Sequence, residues 1–330
     1  MEAHSITHRQ RIEKCLLGEA LDRTPLALWR HFPVDDQTPE RLAGAILEFQ
    51  KLFDFDLVKV TPSSSFCLKD WGAEDEWRGN SEGTREYLRR VIQTPEDWYK
   101  LPLLDPYQGA LGDQLTCLKS VCDELGPDVP VLQTVFNPLS QAKNLVGGDR
   151  LLVHLRQYPE AVQAGLNIIA ETTHRFIEAA NHIGIAGYFY AVQHGSFKLL
   201  TQEEYIKFGR GYDLDLLTSV ADKWLNMLHL HGENIMFQLF TDYPIQVINW
   251  HDRETFPSLA QGQKLFNGVI CGGLQRVHTM ELGSPEHVHS EARDAILATN
   301  NRRFILGTGC VLPITTPRAN ILAAIESCKL

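Results

Sequence analysis

Residues 225–232 read LNMLHLHG. The run Leu225–Leu230 is almost continuously apolar, as a strand covered on both faces must be. It closes on His229, Leu230 and His231, and Gly232 follows. Residues i and i+2 of a strand point to one side. Both imidazoles therefore leave the strand end together. A buried strand that stops on two such side chains fits a parallel sheet whose C-terminal edge carries the chemistry.

Seven further runs of the same kind flank it. Pro25–Trp29, Asp56–Val60, Val129–Val135 and Gly187–Val192 precede it, and Ile245–Asn249, Gly268–Gly272 and Phe304–Gly307 follow. Helical patterns separate them. Glu40–Phe53 sets Leu42, Ile46, Leu47 and Phe49 on one face. Tyr158–His182 repeats apolar residues at 3–4 spacing. Thr201–Ser219 opens with the capping-box pair Thr201 and Glu204, and Ser284-Pro285 places proline at the first position of a helix. Strand alternating with helix eight times predicts one α/β domain over residues 1–330, a (β/α)8 or TIM barrel. A doubly wound open sheet is the alternative, but no Gly-rich phosphate fingerprint follows the first strand. Residues 61–128 are too long for one crossover. They contain WGAEDEWRGNSEG, REYLRRVIQ and LPLLDP. This reads as a lid-like insertion after the second strand, with a hairpin and extra helices over the barrel mouth.

Composition narrows the function. The 330 residues are 44% hydrophobic and 22% charged, with a net charge of −10. That is the balance of a soluble globular protein. It lacks the basic face that nucleic-acid binding requires. No apolar run approaches the ~18 residues of a membrane span. The opening MEAHSITHRQRIEKCLLGE is polar and helical, without an apolar leader core. Seven scattered cysteines, an odd number, point to a reducing, cytoplasmic setting with one special thiol at most.

In a barrel of this kind, function sits where the strands end. Those ends read Trp29-Arg30-His31, Thr61-Pro62-Ser63, Phe136-Asn137-Pro138, Gln193-His194, His229-Leu230-His231, Asn249-Trp250-His251-Asp252, Gly272-Gly273 and Gly307-Thr308-Gly309-Cys310. His229, His231 and Cys310, with His251 within reach, form a zinc-competent set that leaves a position open. The alternative is histidines that hydrogen-bond substrate carboxylates, with Cys310 a small buried residue. Arg30 and His31 suit capture of a carboxylate or phosphate. Asn137, Gln193, His194 and Asn249 are further candidates for substrate contact. His251, Asp252 and Glu254 are candidates for proton transfer, and the two acids also for orienting histidines. Lys59, inside an apolar strand, snorkels, pairs with an acid or faces the site as a cation.

These residues carry a resemblance. LDRTPLALWR (21–30), FNPLSQAKNLVGG (136–148), LLTQEEYIKFGRGYDLDLL (199–217), HLHG (229–232), LGSPEHVHSEARDAI (282–296) and GTGCVLPITTPRANILA (307–323) resemble, in order and spacing, the uroporphyrinogen decarboxylase superfamily. The resemblance implies a TIM barrel and one of two activities. One is cofactor-free decarboxylation of a porphyrinogen in haem synthesis, usually by a homodimer. The other is zinc-dependent methyl transfer, as in corrinoid-protein:coenzyme M methyltransferases. The decarboxylases carry Arg-Gln-Ala-Gly-Arg where this chain has Trp29-Arg30-His31-Phe32-Pro33. Their aspartate near the second strand end meets Lys59–Thr61, and their last-loop histidine meets Gly309-Cys310. The methyltransferases carry His-x-Cys-Gly at the fifth strand and Gly-Cys near the eighth. Here His229 and Cys310 match, and His231 replaces the first of those cysteines. The resemblance therefore implies Zn²⁺ on His229, His231 and Cys310, an anionic small-molecule substrate held at Arg30, and a corrinoid protein as partner. Decarboxylation of a porphyrinogen or another carboxylate is the second expectation. A non-catalytic binding protein with a degenerate site is the third.

Overall fold

The computed structural model describes residues 6–329; the first five residues of the expected N-terminal helical stretch lie outside the described residues. Among the described residues ten strands form: β1 (Leu26–Ala27), β2 (Val58–Val60), β3 (Glu74–Glu76), β4 (Glu86–Arg89), β5 (Val131–Phe136), β6 (Gly187–Val192), β7 (Met227–Leu230), β8 (Val247–Trp250), β9 (Val269–Leu274) and β10 (Phe304–Thr308). Eight of them make one parallel sheet in the order β1-β10-β9-β8-β7-β6-β5-β2. Each expected apolar run overlaps one barrel strand, β5, β8, β9 and β10 running one or two residues past theirs, and every residue of those strands is buried. The two ends of the sheet meet where Asp56 N–H donates to Leu26 O at 2.9 Å. The result is a (β/α)8 barrel in a single domain.

Asp56 is the clasp of that closure. Its carboxylate accepts from Leu26 N at 2.8 Å, Arg11 Nη1 at 2.6 Å and Arg23 Nη1 at 2.6 Å. The side chain has no exposure to water. A carboxylate so placed stays ionised only because the two guanidiniums and His8 face it.

The helices start where their capping residues stand. Thr38 caps Pro39–Phe53, Thr201 and Glu204 form the capping box of Gln202–Tyr205, and Ser284 caps Pro285–Ala298. The expected helix over 201–219 is interrupted by a π-helical turn at Ile206–Arg210. Within the described residues no helix is long and apolar enough to cross a membrane.

Residues 61–128 divide into two parts. Helix Gly109–Leu125 packs on helix Pro39–Phe53 and on β5, as the ordinary crossover helix of this barrel position. The residues between β2 and that helix are 61–108. Within that stretch, β3 and β4 pair as an antiparallel hairpin. Its turn reaches the barrel mouth, where Ile314 N donates to Ser81 O at 2.6 Å.

Candidate functional site

Strand alternation and register set the site. His229 pairs with Asn249 and Leu230 with Trp250 across β7 and β8. His229 and His231 thus face the barrel axis, and His251 follows one residue beyond β8. Cys310 follows β10, two residues past its end. One ligating atom from each of His229, His231, His251 and Cys310 lies within 4.8 Å of all the others. Cys310 Sγ is 3.7 Å from both His229 Nε2 and His231 Nδ1. Gly309 permits this approach. A Cβ there would sit 2.6 Å from His251 Cα and 2.8 Å from Trp250 O.

The surroundings choose the ring nitrogens. Asn249 Nδ2 donates to Cys271 O at 2.9 Å and to Thr308 O at 3.0 Å. Its Oδ1 must therefore face His229 Nδ1, 2.7 Å away. His229 Nδ1 then carries the proton, and Nε2 presents a lone pair to the cluster. Glu254 Oε2 holds the His251 ring in the same way, at 3.1 Å from Nδ1, which turns the buried Nε2 toward the cluster. Imidazoles whose outer nitrogen is fixed by an acceptor are arranged as metal-binding histidines are.

Charge follows geometry. Withdrawal from water opposes ionisation of Cys310, but His229, His231 and His251 outweigh it and hold the thiol well below its usual range. Burial drives the other six thiols the opposite way: Cys15, Cys117, Cys122 and Cys328 up to about 12, and Cys67 and Cys271 higher still. All seven are free. Burial lowers His229, whereas Cys310 and Glu254 overcome burial and lift His251 to about 9.

The cluster opens on a cavity of about 250 Å³. His229, His231 and Cys310 form one part of its wall, and Trp29, Phe189 and Phe136 line its apolar part. His31 and Gln193 line it as expected, and each leaves a buried polar atom unpaired, Nδ1 and Oε1 respectively. Burial and nearby Lys59 lower His31 to about 4. The hairpin segment contributes Glu82, Thr84, Arg85 and Tyr87.

Five of the expected site residues stand off the cavity wall. Arg30 is off the cavity wall: Trp29 and His31 face inward, so alternation turns Arg30 outward. Its guanidinium lies over Phe32 and Phe49, at 5.1 and 4.9 Å from the ring centroids. Asn137 is spent on structure. It caps helix Pro138–Val146 and donates to Asp213 at 3.0 Å. Asn249 holds His229 and makes no part of the cavity wall. Asp252 accepts from Gly273 N–H at 3.1 Å, and burial lifts its carboxyl to about 7. His194 is buried off the wall, close enough to Lys143 and His231 that their charges add to burial in pushing it down to about 3. Conversely, His251 joins the cluster itself. Lys143 was missed by the sequence reading, although a lysine within the otherwise buried run QAKNLV was a readable signal.

The uroporphyrinogen decarboxylase (URO-D) family model matches residues 7–330. The chain belongs to the uroporphyrinogen decarboxylase family. Within it, a methylcobamide:CoM methyltransferase of Methanosarcina acetivorans is 20% identical and aligns over 98% of each chain. Its counterpart from Methanosarcina mazei is 21% identical, again over 98% of each chain. Among solved structures, a methyltransferase from Methanosarcina mazei superposes with a TM-score of 0.85 at 18% identity over 98% of both chains. A B12-independent methionine synthase from Shewanella sp. W3-18-1 shares the fold with a TM-score of 0.63 at 12% identity, over 94% of this chain and 97% of that one. The family members similar to this chain are thus enzymes named for methyl transfer, and this chain is a methyltransferase-like enzyme of the URO-D family.

Proposed function

We propose that the chain is a zinc-assisted methyltransferase that moves a methyl group to or from a small anionic molecule bound in the mouth cavity. The convergence of three imidazoles and one low thiol within 4.8 Å carries this reading. The donor set fits zinc: nitrogen and thiolate sulfur are its preferred ligands. Asn249 and Glu254 hold Nδ1 of His229 and of His251, so each ring turns Nε2 to the cluster, and His251 would give up its Nε2 proton on binding the ion. His229, His231 and Cys310 would hold the ion, with His251 as a fourth donor. A bound zinc supplies Lewis acidity, lowering the pKa of a coordinated thiol or water so that it is nucleophilic at neutral pH.

The chain's own residues do the rest. Trp29, Phe189 and Phe136 exclude water from the cavity. Gln193 and His31 offer orienting hydrogen bonds from inside it. Glu254 takes the proton side of His251 and holds its ring toward the cluster. The relatives' names support a methylated corrinoid as methyl source, delivered by a partner protein. A homodimer is part of the same proposal, read by light scattering. The decarboxylase reading has less support. The cavity is smaller than the ~300–1,000 Å³ typical of sites for drug-sized ligands, and Arg30 is turned away from it.

Metal analysis and a methylation assay test the proposal together. Purified protein should carry one zinc per chain, lost in Cys310→Ala and His231→Ala. Loaded protein should demethylate methylcobalamin in the presence of a short anionic thiol. Protein that takes up no zinc and methylates no thiol, while forming coproporphyrinogen from uroporphyrinogen, would move the assignment to decarboxylation.

A further inference from the structure

Two cations lining the mouth cavity have no carboxylate partner. Arg85 is paired with Asp36 and approaches Asp75 at 4.0 Å. Glu82 is paired with Arg276. Lys59 and Lys143 line the same cavity, and within the described residues neither has a carboxylate within ion-pair distance. Lys59 is buried on β2. Its Nζ donates to Thr61 Oγ1 at 3.1 Å and lies 4.6 Å from the centre of the Phe189 ring, which leaves donor capacity unused. Lys143 comes from helix Pro138–Val146 and is half-buried, and its Nζ makes no hydrogen bond to the described residues.

A cation held out of water without a counter-ion is costly. The Cys310 sulfur on the same wall offsets part of the Lys59 charge, and burial still outweighs it, so two such lysines on one small cavity make it a receptor for a further negative group. Burial lowers Lys59 to about 7 and Lys143 to about 8, the direction that a bound anion would reverse. The outward turn of Arg30 leaves this role to the lysines.

We propose that Lys59 and Lys143 form the anion subsite of the cavity and hold the carboxylate, sulfonate or phosphonate end of a short substrate. The apolar body of that substrate lies against Trp29 and Phe189, and its other end reaches Cys310. The last clause rests on the methyl-transfer reading; the subsite itself does not. Its ligand class is a short-chain organic anion rather than a neutral molecule or a tetrapyrrole.

Calorimetric titration of metal-free protein with propane-1-sulfonate and butyrate, against the uncharged isostere butyramide, tests this. Wild type should bind the anions at least tenfold more tightly than the amide, a difference of about 1.4 kcal/mol. Lys59→Met and Lys143→Met should each remove about tenfold of anion affinity and leave amide binding unchanged. Lys143→Arg should retain it, and Arg30→Met should have no effect. Thermal melts check that the variants fold; losing an unpaired buried cation should not lower the melting temperature. Repeating the titration in Cys310→Ala separates the two proposals, because the subsite should survive loss of the metal cluster. Anions bound no better than the amide, or bound equally by wild type and both methionine variants, would overturn the assignment.

Discussion

Replacing Gly309 with alanine asks whether backbone packing holds Cys310 against the imidazoles. The new Cβ would lie 2.6 Å from His251 Cα and 2.8 Å from Trp250 O. Both are backbone atoms at the end of β8, so neither can rotate aside. Relief to ordinary van der Waals contact, near 3.4 Å, requires a displacement of about 0.8 Å. Zinc–ligand distances tolerate only about 0.2 Å. The turn carrying Cys310 must therefore withdraw from His229 Nε2 and His231 Nδ1, each now 3.7 Å from its sulfur. Zinc affinity should fall by about 10–100-fold, as when an orienting contact is lost. Stability of the metal-free protein should fall by about 1–3 kcal/mol, the cost of overpacking. Competition with a chromophoric chelator reads the first quantity and urea unfolding the second. Alkylation of Cys310 in metal-free protein at pH 6 gives a third readout. The imidazoles hold this thiol low, so separation raises its pKa, reduces the thiolate fraction and slows the reaction. A variant that loses stability yet binds zinc and alkylates at wild-type levels would refute the packing argument.

Three other perturbations have defined outcomes. Asp56→Asn removes the charge that faces buried Arg11 and partly buried Arg23, and should cost about 3–5 kcal/mol in urea unfolding at pH 7. Burial raises the Asp56 carboxyl, but His8 and Arg23 outweigh it, so its folded pKa lies below the unfolded value near ~3.9. Its stabilisation is complete above that unfolded value and disappears as pH falls through the folded one. Wild-type stability should therefore fall more steeply with acid than that of the asparagine variant, and parallel acid profiles would contradict the clasp. Asn249→Ala leaves Cys271 O and Thr308 O unpaired and frees the His229 ring. A stability loss of about 1–3 kcal/mol and a 10–100-fold loss of zinc affinity are expected, and unchanged affinity would deny Asn249 its orienting role. Gly44→Ala has nothing within 4 Å of the new methyl group, in the exposed part of helix Pro39–Phe53. It should stabilise the protein by about 0.5–1 kcal/mol without touching zinc binding, which thermal unfolding and the chelator assay read directly.

Local pattern sufficed for the barrel. A strand buried on both faces must be apolar throughout, and helix caps need particular side chains, so both leave marks a few residues long. The eight runs, the capping box at Thr201 and Glu204 and the capped Ser284-Pro285 start were legible for that reason. The i, i+2 spacing of His229 and His231, together with the glycine-flanked Cys310, marked most of the cluster for the same reason. What local pattern did not supply was direction. Arg30 sits one residue from two cavity-lining side chains, yet alternation sends it to the Phe32 and Phe49 rings. Asn249 and Asp252 flank the mouth but spend their polar atoms on His229 and Gly273.

The sequence alone therefore determined the fold, the family and the set of chemistry-bearing residues at the strand ends, because these follow from periodicity and short-range motifs. Only the tertiary structure decided which of them converge. It brought His251 into the cluster, fixed two imidazole orientations through Asn249 and Glu254, and put Lys59 and Lys143, without carboxylate partners, on one cavity wall. Those facts depend on distances between residues up to 84 positions apart along the chain, such as Lys59 and Lys143. Such distances are set by barrel closure and strand register, which no local pattern encodes.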